Sequence, residues 1–410
     1  MIYIQNNSRD PYFNLALEEF FLTRPDLTVN AKPNDVNPSL SNKLTFEPIL
    51  LLWQNAPTVV VGGRQNTLEE INLAFVEERK IHVVRRTTGG GAVYHDLGNL
   101  NYSFIVPDAT RLATSVNKRT SSLESASKSK LSSKNDAAPT TLTDSFRLLT
   151  QPVVDVLRSW NLPAELSGRN DITIDGRKIS GAAQARKNGR TLHHGTLLFD
   201  SNLDDVAAAL NVDPEKFRSK AVSSVRSRVA NVVEFLPPSE RSGVIERFKA
   251  DLLARLQKSH PITYKELSKR ELLQIQKLRD AKYATWAWNF GASPRFQFRS
   301  SRRFAWGKFE LAFNVVRGRV ESAQIYGDFF ALDDLSPLLE RFVGTPFERD
   351  ALLAQITEPL IHQALPFLSQ DDFVEIALSA VPTRNVVAGA DGKQPFSAFR
   401  NDALARPCQS

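Results

Sequence analysis

Apolar positions along the chain keep two rhythms, and the switches between them mark out its elements. Ile2–Ile4, Ile49–Trp53, Thr58–Val61 and Ile81–Val84 are short β-branched or apolar runs that read as strands, as do Ala92–His95 and Asn99–Ile105. Between them, Phe13, Leu17 and Phe20-Phe21 recur at helical spacing behind Asp10-Pro11, which supplies a cap and a first-turn proline. Leu68–Lys80 reads as a second helix and Phe146–Trp160 as a third, amphipathic one. Asp175-Gly176 and Asn188-Gly189 each separate two strand-like runs, predicting a three-stranded antiparallel meander that ends with Thr191–Phe199. Simple alternation there places Arg177 and Ile179 on one face and Lys178 and Ser180 on the other.

Helical patterning returns at Leu203–Leu210, Ile245–Leu256 and Glu271–Leu278. The composition changes at Trp286-Ala287-Trp288-Asn289-Phe290-Gly291. Beyond it, Arg303–Trp306, Lys308–Val316 and Arg319–Tyr326 alternate as strands, and Leu335–Phe342 and Ala351–Leu360 suggest helices. The expected organisation is α+β: a mixed-sheet first domain over 1–260, a smaller α+β domain over 280–375, and a loose tail over 381–410. Two stretches interrupt the first domain. Residues 28–46 are rich in Asn, Pro and Ser and look like a surface insertion. Residues 109–141 are Ser/Lys/Ala-rich with almost no large apolar side chains, which predicts a disordered loop.

Composition narrows the function classes. The 42% hydrophobic and 24% charged content is that of a globular protein, and no apolar run approaches the roughly 20 residues that span a bilayer. The only cysteine, Cys408, is the third residue from the end, which argues against a disulfide framework and a cysteine nucleophile. Much of the net charge of +7 sits in one place: Arg111, Lys118, Arg119, Lys128, Lys130 and Lys134 face only Glu124 and Asp136. The mildly basic remainder suits an acidic partner or a phosphate ligand as well as it suits DNA, so the charge does not point to nucleic acid. Met1 leads directly into a strand, with no amphipathic or signal-like leader before it.

The candidate chemistry gathers in two stretches. Arg85-Arg86-Thr87-Thr88-Gly89-Gly90-Gly91-Ala92-Val93-Tyr94-His95-Asp96 sets two forked cations beside a glycine turn whose backbone can lie against a ligand. Gly168-Arg169-Asn170-Asp171 and Lys178-Ile179-Ser180-Gly181 add an acid–amide pair and a lysine held just past a hairpin. Neither G-x-x-x-x-G-K-[ST] nor G-x-G-x-x-G occurs, so any nucleotide is held without a P-loop or a dinucleotide fingerprint. His193-His194 invites a metal reading, but adjacent strand residues face opposite sides.

Taken with His193-His194-Gly195-Thr196-Leu197-Leu198, Ser224-Val225-Arg226-Ser227-Arg228-Val229 and the Trp288-Asn289-Phe290-Gly291 run, these motifs, in this order, resemble the lipoate–protein ligase A family. The two insertions look like the elaborations of a eukaryotic, fungal-like member. The resemblance implies the biotin/lipoate-ligase fold and two steps. Lipoate and ATP give lipoyl-adenylate, and the acyl group then passes to a lysine of a lipoyl domain. The alternative is a lipoyl or octanoyl transferase that takes a pre-activated acyl donor.

The resemblance also implies site roles. Lys178 is catalytic and contacts both substrates. Arg86, Gly91, Ala92, Val93, Tyr94, Asn170, Asp171, Arg226 and Arg228 bind ATP or the adenylate. Gly89, Gly90, Gly91 and His95 line the lipoate site, with His95 a hydrogen-bonded pocket residue rather than a base, and Arg85 stays without a role. No metal motif stands out, although Asp171 could help to hold Mg2+. The implied partners are lipoyl-domain acceptors (2-oxoacid dehydrogenase E2 subunits and the glycine-cleavage H protein), met by a monomer with no nucleic-acid or membrane partner. The implied location is the mitochondrion, or else the cytoplasm.

Overall fold

The computed structural model describes residues 1–24, 47–108, 142–168, 170–210, 228–259, 261–291, 298–316, 318–379 and 381–382. The 28–46 and 109–141 insertions, Arg169, Arg226 and the tail beyond residue 382 lie outside the described residues.

The largest sheet has eight strands in the order β11-β1-β2-β6-β10-β9-β8-β7. These are β1 (Ile2–Ile4), β2 (Ile49–Trp53), β6 (Asn99–Pro107), β7 (Ala164–Ser167), β8 (Asp171–Ile174), β9 (Arg177–Lys187), β10 (Arg190–Leu198) and β11 (Thr263–Lys265). β1 runs parallel to both neighbours, and every later pair is antiparallel. A small sheet, β4-β3-β5, joins β3 (Thr58–Val61), β4 (His82–Arg85) and β5 (Val93–His95). It delivers the glycine turn between β4 and β5.

Each face of the large sheet is covered by helices whose apolar stripes it buries. On one side α4 (Leu142–Ser159) and α6 (Val244–Gln257) set Val153, Leu157, Phe248 and Leu252 against Leu50, Tyr102 and Ile172. On the other, α1 (Pro11–Thr23) buries Leu15, Leu17 and Phe21 against Ile49, Leu51 and Trp53. The Asp10 carboxylate caps α1 by accepting from the Tyr12 and Phe13 amides. No helix among the described residues is long and apolar enough to cross a membrane.

The Asp175-Gly176 and Asn188-Gly189 turns both have positive φ at each residue, the primed-turn geometry that matches strand twist. The single helix expected over 68–80 is instead α2 (Thr67–Glu70) and α3 (Leu73–Glu78). It breaks because Ile71 is buried and pairs in a short bridge with Leu210, at the end of α5 (Leu203–Ala209). The helix expected over 351–360 likewise splits into 349–355 and 358–364, restarting at Pro359. The helix at 370–378 carries no cue that the pattern reading used.

Residues 269–291 pack on the first domain, with Ile275 and Tyr283 in the α1-side core. The C-terminal unit has its own antiparallel sheet, β14-β13-β12-β15, from β12 (Phe298–Phe304), β13 (Gly307–Val316), β14 (Arg319–Gly327) and β15 (Val381–Pro382). Phe309, Phe313, Phe342 and Phe373 form its separate core.

Candidate active site

The three glycines of the turn are there for three different reasons. Gly90 has φ +90°, which side-chain-bearing residues rarely adopt. A Cβ on Gly89 would stand 2.3 Å from the Phe329 carbonyl oxygen, so this glycine admits the C-terminal unit rather than a ligand. Gly91 alone has nothing within 4 Å of the place a Cβ would take, and it leaves bare backbone facing a cavity.

The two arginines are both buried and serve different ends. The Arg85 guanidinium donates to the carbonyls of Gln65 at 2.6 Å and Trp288 at 3.0 Å and to the Thr67 hydroxyl at 2.8 Å. Its amide donates to Asn289 Oδ1 at 2.9 Å, and its carbonyl accepts from the Trp288 indole at 2.8 Å. Arg85 thus ties β4 to the 285–291 segment. Arg86 donates through Nη2 to the Gly89 and Gly91 carbonyls at 2.7 and 2.8 Å, through Nη1 to Val60 and through Nε to Thr88 Oγ1. It is the clip that shapes the glycine turn. One Nη1 hydrogen has no acceptor among the described residues, and burial pulls both guanidinium groups down to about 10.

Lys178 stands just past the Asp175-Gly176 turn, as its position in the chain requires. The strict alternation expected around it fails, because the β8–β9 register slips between Ile172 and Thr173. Thr173 lies opposite Lys178 and Ile172 opposite Ser180, so Ile179 is the extra residue. Cross-strand partners share a face, which puts Lys178 with Asp171 and Gly181 and moves Ser180 to the other side. The Lys178 ammonium meets Asp171 Oδ1 at 2.8 Å, with both side chains partly exposed. A Cβ on Gly181 would come within 3.1 Å of Lys178 Nζ, so this glycine leaves the ammonium its room. Asn170 clamps β9 by donating to the Ala182 carbonyl at 2.8 Å. Val229 bridges to Lys178, and the Ala230 amide donates to the Lys178 carbonyl, so the strand holds from both sides. Arg228 therefore sits one residue from the Lys178 backbone.

Between the glycine turn and the large sheet lies a cavity of ≈ 140 Å³. That is room for a thin chain of several heavy atoms. Of the expected site residues, Arg86, Gly90, Gly91, Ala92, Val93, His95, Asn170 and Lys178 line it. Tyr94 is not among the lining residues, since its ring packs into the core beneath the small sheet. His95 is buried, and its Nδ1 accepts from the Asn55 amide at 3.1 Å and the Asn101 amide at 3.5 Å. The proton therefore sits on Nε2, a buried atom with no hydrogen-bond partner among the described residues, on a residue that lines the cavity. Burial, together with Arg86 and His194, pushes this imidazole down to about 3. It is a neutral donor at any working pH.

The adjacent histidines point apart. His193 bonds Thr150 and Gln184 under α4, whereas His194 reaches Thr88 Oγ1 at 2.8 Å and Glu18 Oε1 at 2.9 Å on the cavity side. No group of three or more His, Cys, Asp or Glu among the described residues could hold a metal. The sequence reading missed Trp53, Asn101, Glu18 and Phe330. Glu18 left a signal: with Asn14 it is a buried polar position one turn apart on an apolar helix. Phe330 left none.

Residues 10–131 and 129–257 match the lipoyl protein ligase A/B catalytic domain, and residues 293–376 match the bacterial lipoate protein ligase C-terminus. The chain is 36% identical over 381 residues to lipoate-protein ligase LplJ of Bacillus subtilis, covering 92% of this chain and 99% of that one. It is 37% identical over 340 residues to lipoate–protein ligase 1 of Staphylococcus aureus, covering 83% and 88%. Among solved structures it is similar to P. falciparum LipL1 in complex with lipoate, at TM-score 0.61 and 26% identity over 87% of this chain and 93% of that chain. An archaeal bipartite lipoate protein ligase with its E2 lipoyl domain, from Thermoplasma acidophilum, aligns at TM-score 0.52 and 28% identity over 72% and 96%. A lipoate-protein ligase A bound with ATP aligns at TM-score 0.50 and 26% identity, over 71% and 98%.

Proposed function

This chain belongs to the lipoyl protein ligase A/B family and is a lipoate–protein ligase, and on that premise we propose how its pocket divides the work. The reaction joins lipoate to a lysine of a lipoyl-domain protein at the expense of ATP. In the first step a lipoate carboxylate oxygen attacks the α-phosphorus, the bond to the β-phosphate breaks, and diphosphate leaves. In the second, an acceptor lysine amine attacks the acyl carbon, AMP leaves with the bonding electrons, and the new amide sheds a proton.

The observation that carries the division of labour is a single ammonium, Lys178, at the edge of a narrow cavity walled by glycine backbone. The first step brings a carboxylate against a phosphate and the second develops an oxyanion beside that phosphate, and a fixed cation there lowers the repulsion in both. Loss of such a donor typically costs ~3–4 kcal/mol of transition-state stabilisation. Asp171 holds the ammonium ready, and Asn170 and Gly181 fix the strand and the space around it. The apolar cavity takes the acyl chain, and His95 Nε2–H offers its one donor to the substrate inside it. The bare Gly91 backbone and the spare Arg86 hydrogen are the phosphate-side contacts, with Ala92 and Val93 continuing that wall. Arg228 and Arg226 are proposed as further cations for the adenylate phosphate.

With no protein-only metal cluster among the described residues, Mg2+ would arrive on the nucleotide phosphates with at most Asp171 as a protein carboxylate, the usual habit of that ion. E2 subunits of 2-oxoacid dehydrogenases and the glycine-cleavage H protein are the acceptors proposed, met by a monomer. Mitochondrial residence is proposed because eukaryotic acceptors of this kind work there, and a tagged protein found only in cytosol would move it to the cytoplasm.

The test is to incubate the protein with an unmodified lipoyl domain, ATP and lipoate. A single lipoyl addition on one lysine, with AMP formed in step, is expected. Modification only from a supplied pre-activated acyl donor would refute the ligase reading.

A further inference from the structure

We propose that Phe330, carried by the C-terminal unit, is the wall that sets how long an acyl chain the catalytic cavity accepts. The inference rests on the ligase reading and adds to it a specificity-determining residue outside the catalytic domain.

Where β9 faces Phe330 the cavity is lined by Ala182 and Ala183, with the glycine turn on the other side. Those small residues leave space there and do not limit it. Among the described lining residues, Phe330 alone comes from beyond residue 291. Its side chain is 2% exposed and packs with Phe146, Ala182 and Ala183, with the Phe146 and Phe330 ring centroids 5.2 Å apart. The ring edge lies 3.4 Å from where a Gly90 Cβ would stand, so it fills the gap between turn and floor.

The ring is also held in place. The Gly327 amide donates to the Arg64 carbonyl at 2.9 Å, and the Arg64 guanidinium lies 5.5 Å from the centre of the Phe329 ring. The Phe329 carbonyl seats against Gly89 so closely that no side chain fits between them. Phe330 is therefore a fixed aromatic stop brought in by a second domain. The ligands it measures are medium-length straight-chain carboxylic acids and their ring-ended analogues, whose tails are apolar and thin.

Each methylene that gains or loses burial changes affinity by about four-fold, so two of them change it by about 16-fold. The test compares Phe330→Ala and Phe330→Trp with the intact protein, using hexanoate, octanoate, decanoate and lipoate. Acid-dependent ATP–pyrophosphate exchange gives kcat/KM, and calorimetry gives acid Kd without requiring any chemistry. Phe330→Ala should raise the decanoate-to-octanoate ratio by about ten-fold or more, and Phe330→Trp should favour hexanoate, with KM for ATP unchanged. Equal changes across the acid series, or a change confined to KM for ATP, would overturn the proposal. Phe330→Leu serves if the alanine variant fails to fold, and it should shift the ratio in the same direction. Intact protein that binds acids but gives no exchange would contradict the ligase reading, while the calorimetric series would still decide the role of Phe330.

Discussion

Replacing Arg85 with methionine should destabilise the protein strongly and leave adenylation chemistry intact in whatever remains folded. Arg85 is 1% exposed and satisfies the Gln65 and Trp288 carbonyls and the Thr67 hydroxyl at 2.6–3.0 Å. Each buried acceptor left without a donor costs roughly 1–3 kcal/mol, or roughly 3–9 for the three. Against that stands the relief of a desolvated guanidinium, whose burial already drags it down to about 10. A net loss of about 3 kcal/mol or more remains, which is a fall in Tm of roughly 6–12 °C at about 2–4 °C per kcal/mol. Arg85→Lys keeps the charge but not the fork, and it should recover less than half. The assay is thermal unfolding followed by circular dichroism, with pyrophosphate exchange on the folded fraction at low temperature. An unchanged Tm with exchange abolished would refute the reasoning, since it would place Arg85 on the substrate.

Three further outcomes follow from the site. His95 and His193 are both depressed from 6.5 to about 3, so the unfolded chain binds protons there that the folded chain does not. Their contribution is fully present above pH 6.5 and is lost as pH falls toward 3, at about 1.4 kcal/mol per pH unit for each. His193→Gln should remove one proton from the slope of stability against pH between 6 and 4, and an unchanged slope would show that His193 does not carry it. Gly89→Ala should loosen the C-terminal unit, read as faster proteolysis between the domains, because its Cβ meets the Phe329 carbonyl at 2.3 Å. Gly91→Ala meets nothing and should leave Tm unchanged while raising KM for ATP; a fall in Tm with KM intact would contradict an open phosphate wall.

Local chemistry was legible in the chain, and tertiary chemistry was not. Asp175-Gly176 and Asn188-Gly189 declared their turns because the residues that tolerate positive φ sit at the turn itself. That placed Lys178 beside a hairpin and on the face opposite Arg177, but it put Ser180 on the wrong face. The one-residue slip at Ile179 answers to how β8 and β9 are buried, and alternation alone cannot express it. Arg85 and Arg86 are neighbours of one residue type, and nothing local separates a clip of the glycine turn from a tie to Asn289, 204 residues away. Phe330 reaches the cavity only through the docking of a separate domain. His95 was recognised as a pocket residue, while its proton position depends on Asn55 and Asn101, which carry no motif of their own.

The central claim is that one pocket, with Lys178 at its edge, makes an acyl-adenylate. Lipoate-dependent ATP–pyrophosphate exchange tests it most directly. The intact protein should exchange label only when lipoate is present, and Lys178→Ala should lose about 100-fold or more of that rate while keeping its Tm. Exchange that survives in Lys178→Ala, or an intact protein that exchanges nothing yet transfers acyl groups from supplied lipoyl-adenylate, would contradict it.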